Sequence, residues 1–270
     1  MKGKASSGMI SGLKNKLRPF YHQLKSRAKS VSYVLRGKTN AGFCPICEKN
    51  TQFIKYDPWL RDYYCCITCH SIPRQRALIN SLTLFFPDWT DLTVHESSPG
   101  GISSDFIAKK CRRYSASQYY PDVTPGTVKD GYQCQNLERL TFANHAFDLI
   151  ISQDVFEHVL NPDKAFAEIA RVLKPGGAHV FTMPWYPALK KTVQRAVDVD
   201  GTVQFLEKPI YHGNPIDAKG SLVTFDWGLD FPVYVFRHGG LVTTIHLVVD
   251  ENKGLNAEFL EVFISRKSHE

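Results

Sequence analysis

No stretch of this 270-residue chain holds the roughly 18 consecutive apolar residues that a helical membrane span needs. Its opening, MKGKASSGMISGLKNKLRPF, has lysines but no apolar core followed by a cleavage site. Both absences predict a cytoplasmic protein. Aspartate and glutamate are missing from residues 1–42, which hold ten Lys or Arg; once those ten are set aside, the net charge of +7 becomes −3. The basicity therefore belongs to a leader, and the body lacks the basic groove expected of a strong RNA binder. The disulfide framework of a small secreted protein is the poorer reading of the cysteines. Of seven cysteines five crowd into residues 44–69 of a chain without an export signal, so metal binding is the better reading. A hydrophobic content of 43% excludes disorder throughout and allows one sizeable α/β domain with an appendage.

Within the leader, Ile10, Leu13, Leu17, Phe20, Leu24, Ala28, Val31 and Leu35 recur at helical spacing among the lysines and arginines, although Pro19 interrupts a single helix. Such a surface suits anionic lipid at the inner face of a membrane, or RNA. It equally suits a helix packed on its own body or a solvated arm.

The segment FCPICEKNTQFIKYDPWLRDYYCCITCHSIPRQR follows, with one CxxC at Cys44 and Cys47 and a second at Cys66 and Cys69. Four thiolates from two such turns complete a closed tetrahedral zinc site of structural type. Cys65 and His70 are neighbouring alternatives for Cys66 and Cys69. A closed site leaves no open position for substrate, so the role expected of this module, residues 43–77, is folding support.

From residue 78 onward strand and helix alternate. Leu92 to Glu96, Tyr114 to Gln118, Phe147 to Gln153 and Ala178 to Thr182 read as strands, and Ser103 to Lys110 as a helix. A further helix opens at Asn161 as cap with Pro162 in its first turn, buries Phe166, Ile169, Ala170 and Leu173, and stops at KPGG with Lys174 at the negative end of its dipole. This alternation predicts a mostly parallel sheet with helices on both faces. Residues 184–230, rich in Pro, Gly and aromatics, read as an insertion or lid. Leu241 to Val249 and Ala257 to Ser265 close the chain as two strands joined by DENKGLN. The stretch TVHESSPGGISS, residues 93–104, stands where an α/β enzyme would keep a cofactor loop, yet it is poor in glycine.

The segment FANHAFDLIISQDVFEHVLNPDKAFAEIARVLKPGGAHVFTMP resembles the second half of the class I S-adenosylmethionine-dependent methyltransferases, in particular the type 11-like group. The cysteine module with SIPRQRAL after it looks like the zinc-ribbon-type extension ahead of some bacterial members. The resemblance covers about residues 90–183 well. It implies a Rossmann-like class I sheet, mostly parallel with the last strand antiparallel, preceded by a small zinc-binding module. It also implies S-adenosylmethionine at the C-terminal ends of the strands.

On this sequence the implied cofactor residues are Glu96, Ser97, Ser98, Gly100 and Gly101 in the first loop, then Gln118 toward the ribose, Asn136 and Leu137 toward the adenine, and Gln153. Ser98 replaces a glycine of the family pattern, and serine does not readily take positive φ. Gln118 and Asn136 stand where the family usually has carboxylates, which leaves neutral and weaker acceptors. Asp154 and His158 are the candidate catalytic residues, while Tyr186, Tyr211 and His212 of the insertion are candidates to touch the acceptor. The resemblance leaves a small-molecule, lipid-linked or glycan acceptor as the leading expectation. An RNA methyltransferase or a non-catalytic protein with a lost cofactor site are the alternatives.

Overall fold

The computed structural model describes residues 38–213 and 219–269; the leader, apart from residues 38–42, lies outside the described residues. β1 (Thr39–Cys44), β2 (Lys49–Lys55), the one-turn α1 (Leu60–Tyr63) and β3 (Tyr64–Cys66) form a three-stranded antiparallel sheet. The first strand thus begins inside the stretch assigned to the leader. α2 (Pro73–Phe85) follows, with proline in its first turn, where its missing N–H costs nothing. The Gln75 side chain accepts the Ile72 N–H at its start, 3.2 Å.

The main sheet begins with β4 (Thr93–Ser97), α3 (Gly101–Lys110), β5 (Arg113–Gln118), β6 (Val128–Lys129), β7 (Tyr132–Cys134), β8 (Phe147–Gln153), α4 (Pro162–Val172) and β9 (Leu173–Thr182). Among the described residues, 184–213 and 219–230 hold six short strands paired two by two. These are β10 (Val193–Gln194) with β15 (Phe225–Asp226), β11 (Ala196–Val199) with β12 (Thr202–Phe205), and β13 (Tyr211–His212) with β14 (Ser221–Leu222). α5 (Phe231–Gly239), β16 (Val242–His246) and β17 (Val262–Arg266) complete the order. Across the sheet the strands run β16-β17-β9-β8-β4-β5-β7-β6. β7, β5, β4, β8 and β9 are parallel, and β17 inserts antiparallel between β9 and β16. This is the Rossmann-like α/β architecture expected, with its antiparallel last strand.

The run FDLIISQ reads as continuously apolar because β8 is covered on both faces. Leu149 and Ile151 point into a core shared with Leu78, Leu82 and Ile107 of α2 and α3. Ile150, between them, points into the opposite core with Phe166 and Ile169 of α4 and Phe231 of α5. The first of these cores also contains Cys44, Phe53, Tyr64 and Cys66, so the cysteine sheet shares the interior of the main domain. Two contacts lock that union. Gly42 passes so close to the Asn252 carbonyl that a Cβ would collide with it. Arg76, fully buried, donates from Nη2 to the carbonyls of Tyr64, 2.8 Å, and Gly254, 2.7 Å, over the face of Phe53.

Three local expectations are corrected. β9 starts at Leu173, not Ala178, because Phe147 pairs with Leu173 ahead of a bulge that carries KPGG within the strand. Gly176 alone of that glycine pair takes positive φ. Lys174 forms an ion pair with Asp148, 2.8 Å, and so is engaged elsewhere than at the helix end. Asn161 precedes α4 but its side chain does not cap it; its Nδ2 donates to Glu138, 2.8 Å.

Candidate active site

A cavity of about 1020 Å³ opens at the C-terminal ends of the parallel strands, where ligands bind in open α/β sheets. One end is walled by Ser97 to Gly101, Gln118, Asn136, Leu137 and Gln153; the other by Trp59, Arg61, Arg74, Asp154, Glu157, His158, Tyr186 and His212. Of the residues assigned to the cofactor from sequence, all but Glu96 line it. Tyr211 does not line it either.

Glu96 is fully buried beneath the loop and accepts hydrogen bonds from Ser104 and Tyr114, each 2.7 Å, and Gln153, 3.0 Å. Burial raises its carboxyl above the usual range against those bonds. Its contact is therefore with the loop's supports, and Gln153, which also accepts from Ser103 at 2.8 Å, belongs to the same network. Ser98 does take the left-handed backbone, φ 55, with its N–H held by the Ser117 carbonyl at 2.8 Å. The expectation that serine would avoid this conformation is thus corrected, and the neighbouring strand supplies the restraint that holds it there. Gly101 at φ 73 starts α3 in a conformation that other residues rarely adopt, and a Cβ there would displace the end of the Gln75 side chain. Asn136 spends its side-chain carbonyl on the Glu138 N–H, 2.9 Å, an Asx turn that competes with any adenine contact from that oxygen.

At the opposite end Asp154, also left-handed at φ 52, receives both bonds of one Arg61 nitrogen, 2.8 and 2.9 Å, the Arg74 Nε at 3.1 Å and the Thr182 hydroxyl at 3.0 Å. Burial alone would raise its carboxyl, but the two guanidiniums hold it below the ordinary value. Asp154 is therefore a fixed anion and a poor proton acceptor. Glu157, only 2% exposed, has neither carboxylate oxygen hydrogen-bonded. Burial, reinforced by repulsion from Asp154, pushes it up to about 8. His158 Nδ1 lies 2.8 Å from the Leu222 carbonyl, so Nδ1 carries the proton and Nε2 keeps its lone pair. Burial brings this imidazole down to about 4, which keeps it neutral at physiological pH. Arg61, Arg74 and the isolated carboxylate of Glu157 were missed in the sequence. The arginines sit in the cysteine module, and no spacing rule links them to a residue beyond β8.

The four cysteines lie on two matching turns. Glu48 N–H returns to the Cys44 carbonyl and His70 N–H to the Cys66 carbonyl, both 2.9 Å, and Glu48 and His70 each take positive φ. Sγ atoms of Cys44 and Cys69 are 3.7 Å apart, those of Cys47 and Cys66 3.9 Å, and all four fall within 4.8 Å of one another. Cys65 faces the Asp62 carbonyl and His70 is exposed, so neither alternative joins the group. Among the described residues no helix is long and apolar enough to cross a membrane.

Residues 101–181 match the family described as "Methyltransferase domain". A ubiquinone biosynthesis O-methyltransferase of Coxiella burnetii is 39% identical over 91 residues, 31% of this chain and 39% of that protein. A dimethylglycine N-methyltransferase of Parasynechococcus marenigrum is 43% identical over 96 residues, 36% of this chain and 31% of that protein. The chain thus spans well under half the length of these curated relatives. Among solved structures, an S-adenosylmethionine-dependent methyltransferase of Mesorhizobium loti aligns with a TM-score of 0.48 at 17% identity, over 71% of this chain and 98% of that one. The stretch from Gly101 to Phe181, which runs from the start of α3 to the penultimate residue of β9, carries a methyltransferase domain.

Proposed function

We propose that this protein transfers a methyl group from S-adenosylmethionine to a small-molecule acceptor. The observation that carries the reading is one continuous cavity of about 1020 Å³, which joins the Ser97 to Gly101 loop to a separate polar corner. Ligand sites commonly measure about 300–1,000 Å³, so this one stands at the upper end of that range. The names of the relatives, drawn from ubiquinone biosynthesis and dimethylglycine methylation, support a small acceptor over a nucleic acid, lipid-linked or glycan one.

The residues present fit the cofactor: Gly100 leaves open space where a Cβ would stand, and the loop presents its backbone at the start of α3. Ser97 to Gly101 would hold the amino-acid moiety, Gln118 the ribose hydroxyls, and Leu137 with the Asn136 amide the adenine. When bound, the cofactor supplies a methyl group on a sulfonium, already activated for in-line displacement. The chain's own work is then alignment and exclusion of water, worth roughly 7–11 kcal/mol in favourable cases. Asp154 orients Arg61 and Arg74, whose positive charge faces the acceptor corner, and Trp59 and Tyr186 wall it.

We also infer that Cys44, Cys47, Cys66 and Cys69 hold one structural zinc ion. Tetrahedral zinc with sulfur at about 2.3 Å requires sulfur–sulfur edges near 3.8 Å, and the 3.7 and 3.9 Å edges match. Calorimetry of zinc-loaded protein with S-adenosylhomocysteine tests the main reading. Binding in the micromolar range is expected, with loss of it in Gly101→Val, because a β-branched residue would force the loop out of its left-handed backbone at φ 73. No heat at millimolar ligand would sink the enzyme reading in favour of a non-catalytic protein.

A further inference from the structure

We propose that Glu157, His158 and His212 form a divalent-metal site in the acceptor corner of the cavity, separate from the four cysteines. The inference rests on the methyltransferase reading only for its chemical consequence. Three ligand atoms converge there from two parts of the chain, all within 4.8 Å of one another. Glu157 Oε1 lies 3.7 Å from His158 Nε2 and 4.0 Å from His212 Nδ1. These gaps are too long for hydrogen bonds. A tetrahedral ion at about 2.1 Å from nitrogen and oxygen needs edges near 3.4 Å, so the two edges from Glu157 would close by about 0.3 and 0.6 Å, and the edge between the imidazoles, no longer than 4.8 Å, by at most about 1.4 Å.

The second observation is the carboxylate itself. Glu157 is 2% exposed, faces the cavity, and leaves both oxygens without a hydrogen-bond partner. Buried polar groups are nearly always satisfied, and an orphan of this kind points to an absent ligand or ion. The support behind the site has the form that metal-binding histidines have. The Leu222 carbonyl fixes the His158 tautomer so that Nε2 faces inward. His212 is held next to it because Tyr211 pairs with Leu222 and His212 with Ser221 across β13 and β14. Thr224 N–H, 2.7 Å, pins the backbone carbonyl of Glu157 itself. The insertion therefore both supplies one ligand and aims the other two.

Two imidazoles and one carboxylate suit zinc, manganese or ferrous iron rather than a soft ion, and three protein ligands leave positions open toward the cavity. An acceptor hydroxyl or enol bound there would lose its proton to water more readily. Its oxygen would then form the bond to the methyl carbon as the carbon–sulfur bond breaks, with the electron pair left on sulfur. The lone pair of His158 would be spent on the ion, and no separate base would be required.

The test uses full-length protein with its cysteine site filled by zinc, titrated with Mn²⁺ and followed by the resonance signal of the free ion. One Mn²⁺ per chain is expected. Its affinity should fall at least tenfold in Glu157→Gln and in His212→Ala, the latter a half-exposed ribbon residue whose thermal melt should match the parent. Co²⁺ bound at the same place should lack a sulfur-to-metal charge-transfer band. Absence of any ion beyond the cysteine site, or affinity in both variants equal to that of the parent protein, would overturn the proposal. S-adenosylhomocysteine titrated into the same samples separates the two readings: cofactor without Mn²⁺ overturns the metal site alone, and Mn²⁺ without cofactor overturns the methyltransferase reading while it supports the site.

Discussion

At the scale of single residues, the acceptor corner depends on charges that hold one another in place. Asp154 would carry an unmatched charge if it were not for Arg61, 8% exposed at its side chain, and Arg74, and removal of one partner of such a buried pair commonly costs about 3–5 kcal/mol. Ser98 shows the opposite economy. A non-glycine residue in the left-handed region costs on the order of 1 kcal/mol, and φ 55 at Ser98 carries that strain at the mouth of the loop. Ser98→Gly should therefore raise stability by about 1 kcal/mol, visible as a higher midpoint in urea at unchanged slope, and should leave the backbone path of the loop intact. An unchanged or lowered midpoint would mean that the serine hydroxyl contributes more than its backbone costs.

At the scale of elements, the cysteine sheet is part of the site's wall as well as a staple. Cys66 ends β3 and α1 directly precedes that strand, so Arg61 and Trp59 are positioned by the same turns that gather the sulfurs. The Cys44→Ser, Cys47→Ser double variant should lose the expected single zinc, measured by metal analysis, and with it tight packing of α1. Unchanged metal content would refute the four-cysteine assignment. The central strands and the helices beside them were legible in the sequence because each is governed by a local period, whereas the short β6 and β7 and the helix α5 were not read, and the last two strands are shorter than the reading of 241–249 and 257–265. β8 is Phe147–Gln153 as read, and β5 and α3 differ from the reading by one or two residues at one end. The start of β9 was not legible, since KPGG carries a helix-stop signature whose glycines serve equally in a bulge. The cofactor loop could be placed by its neighbours, but the corner opposite it could not. Arg61 bonds to Asp154 across 93 positions, and His212 reaches Glu157 only through a ribbon whose register no short-range pattern specifies.

At the scale of the whole molecule, two buried histidines make the sheet sensitive to acid. His95, between Ser115 and Ser117 at 2.9 Å each, and His179, beside Ser152 at 2.9 Å, lie on β4 and β9. Burial lowers them from 6.5 to about 4 and about 3. A histidine whose folded pKa is depressed binds more protons when unfolded, so its contribution is whole above pH 6.5 and shrinks as pH falls toward 4. Stability from urea titrations should therefore decline steadily between pH 6.5 and 4. The decline should flatten in His95→Asn if the amide keeps the serine contacts, whereas an equally steep decline there would assign it to other groups.

The contact of Arg76 with the Gly254 carbonyl, and of Gly42 with Asn252, has a consequence for synthesis on the ribosome. The cysteine turns emerge before the whole parallel sheet, but the surface that covers them is translated only after it, just ahead of β17. At about 5–20 residues per second the thiols of a nascent chain would wait on the order of ten seconds or more for that cover. Oxidant present during translation should therefore damage these cysteines far more than the same oxidant applied to finished protein.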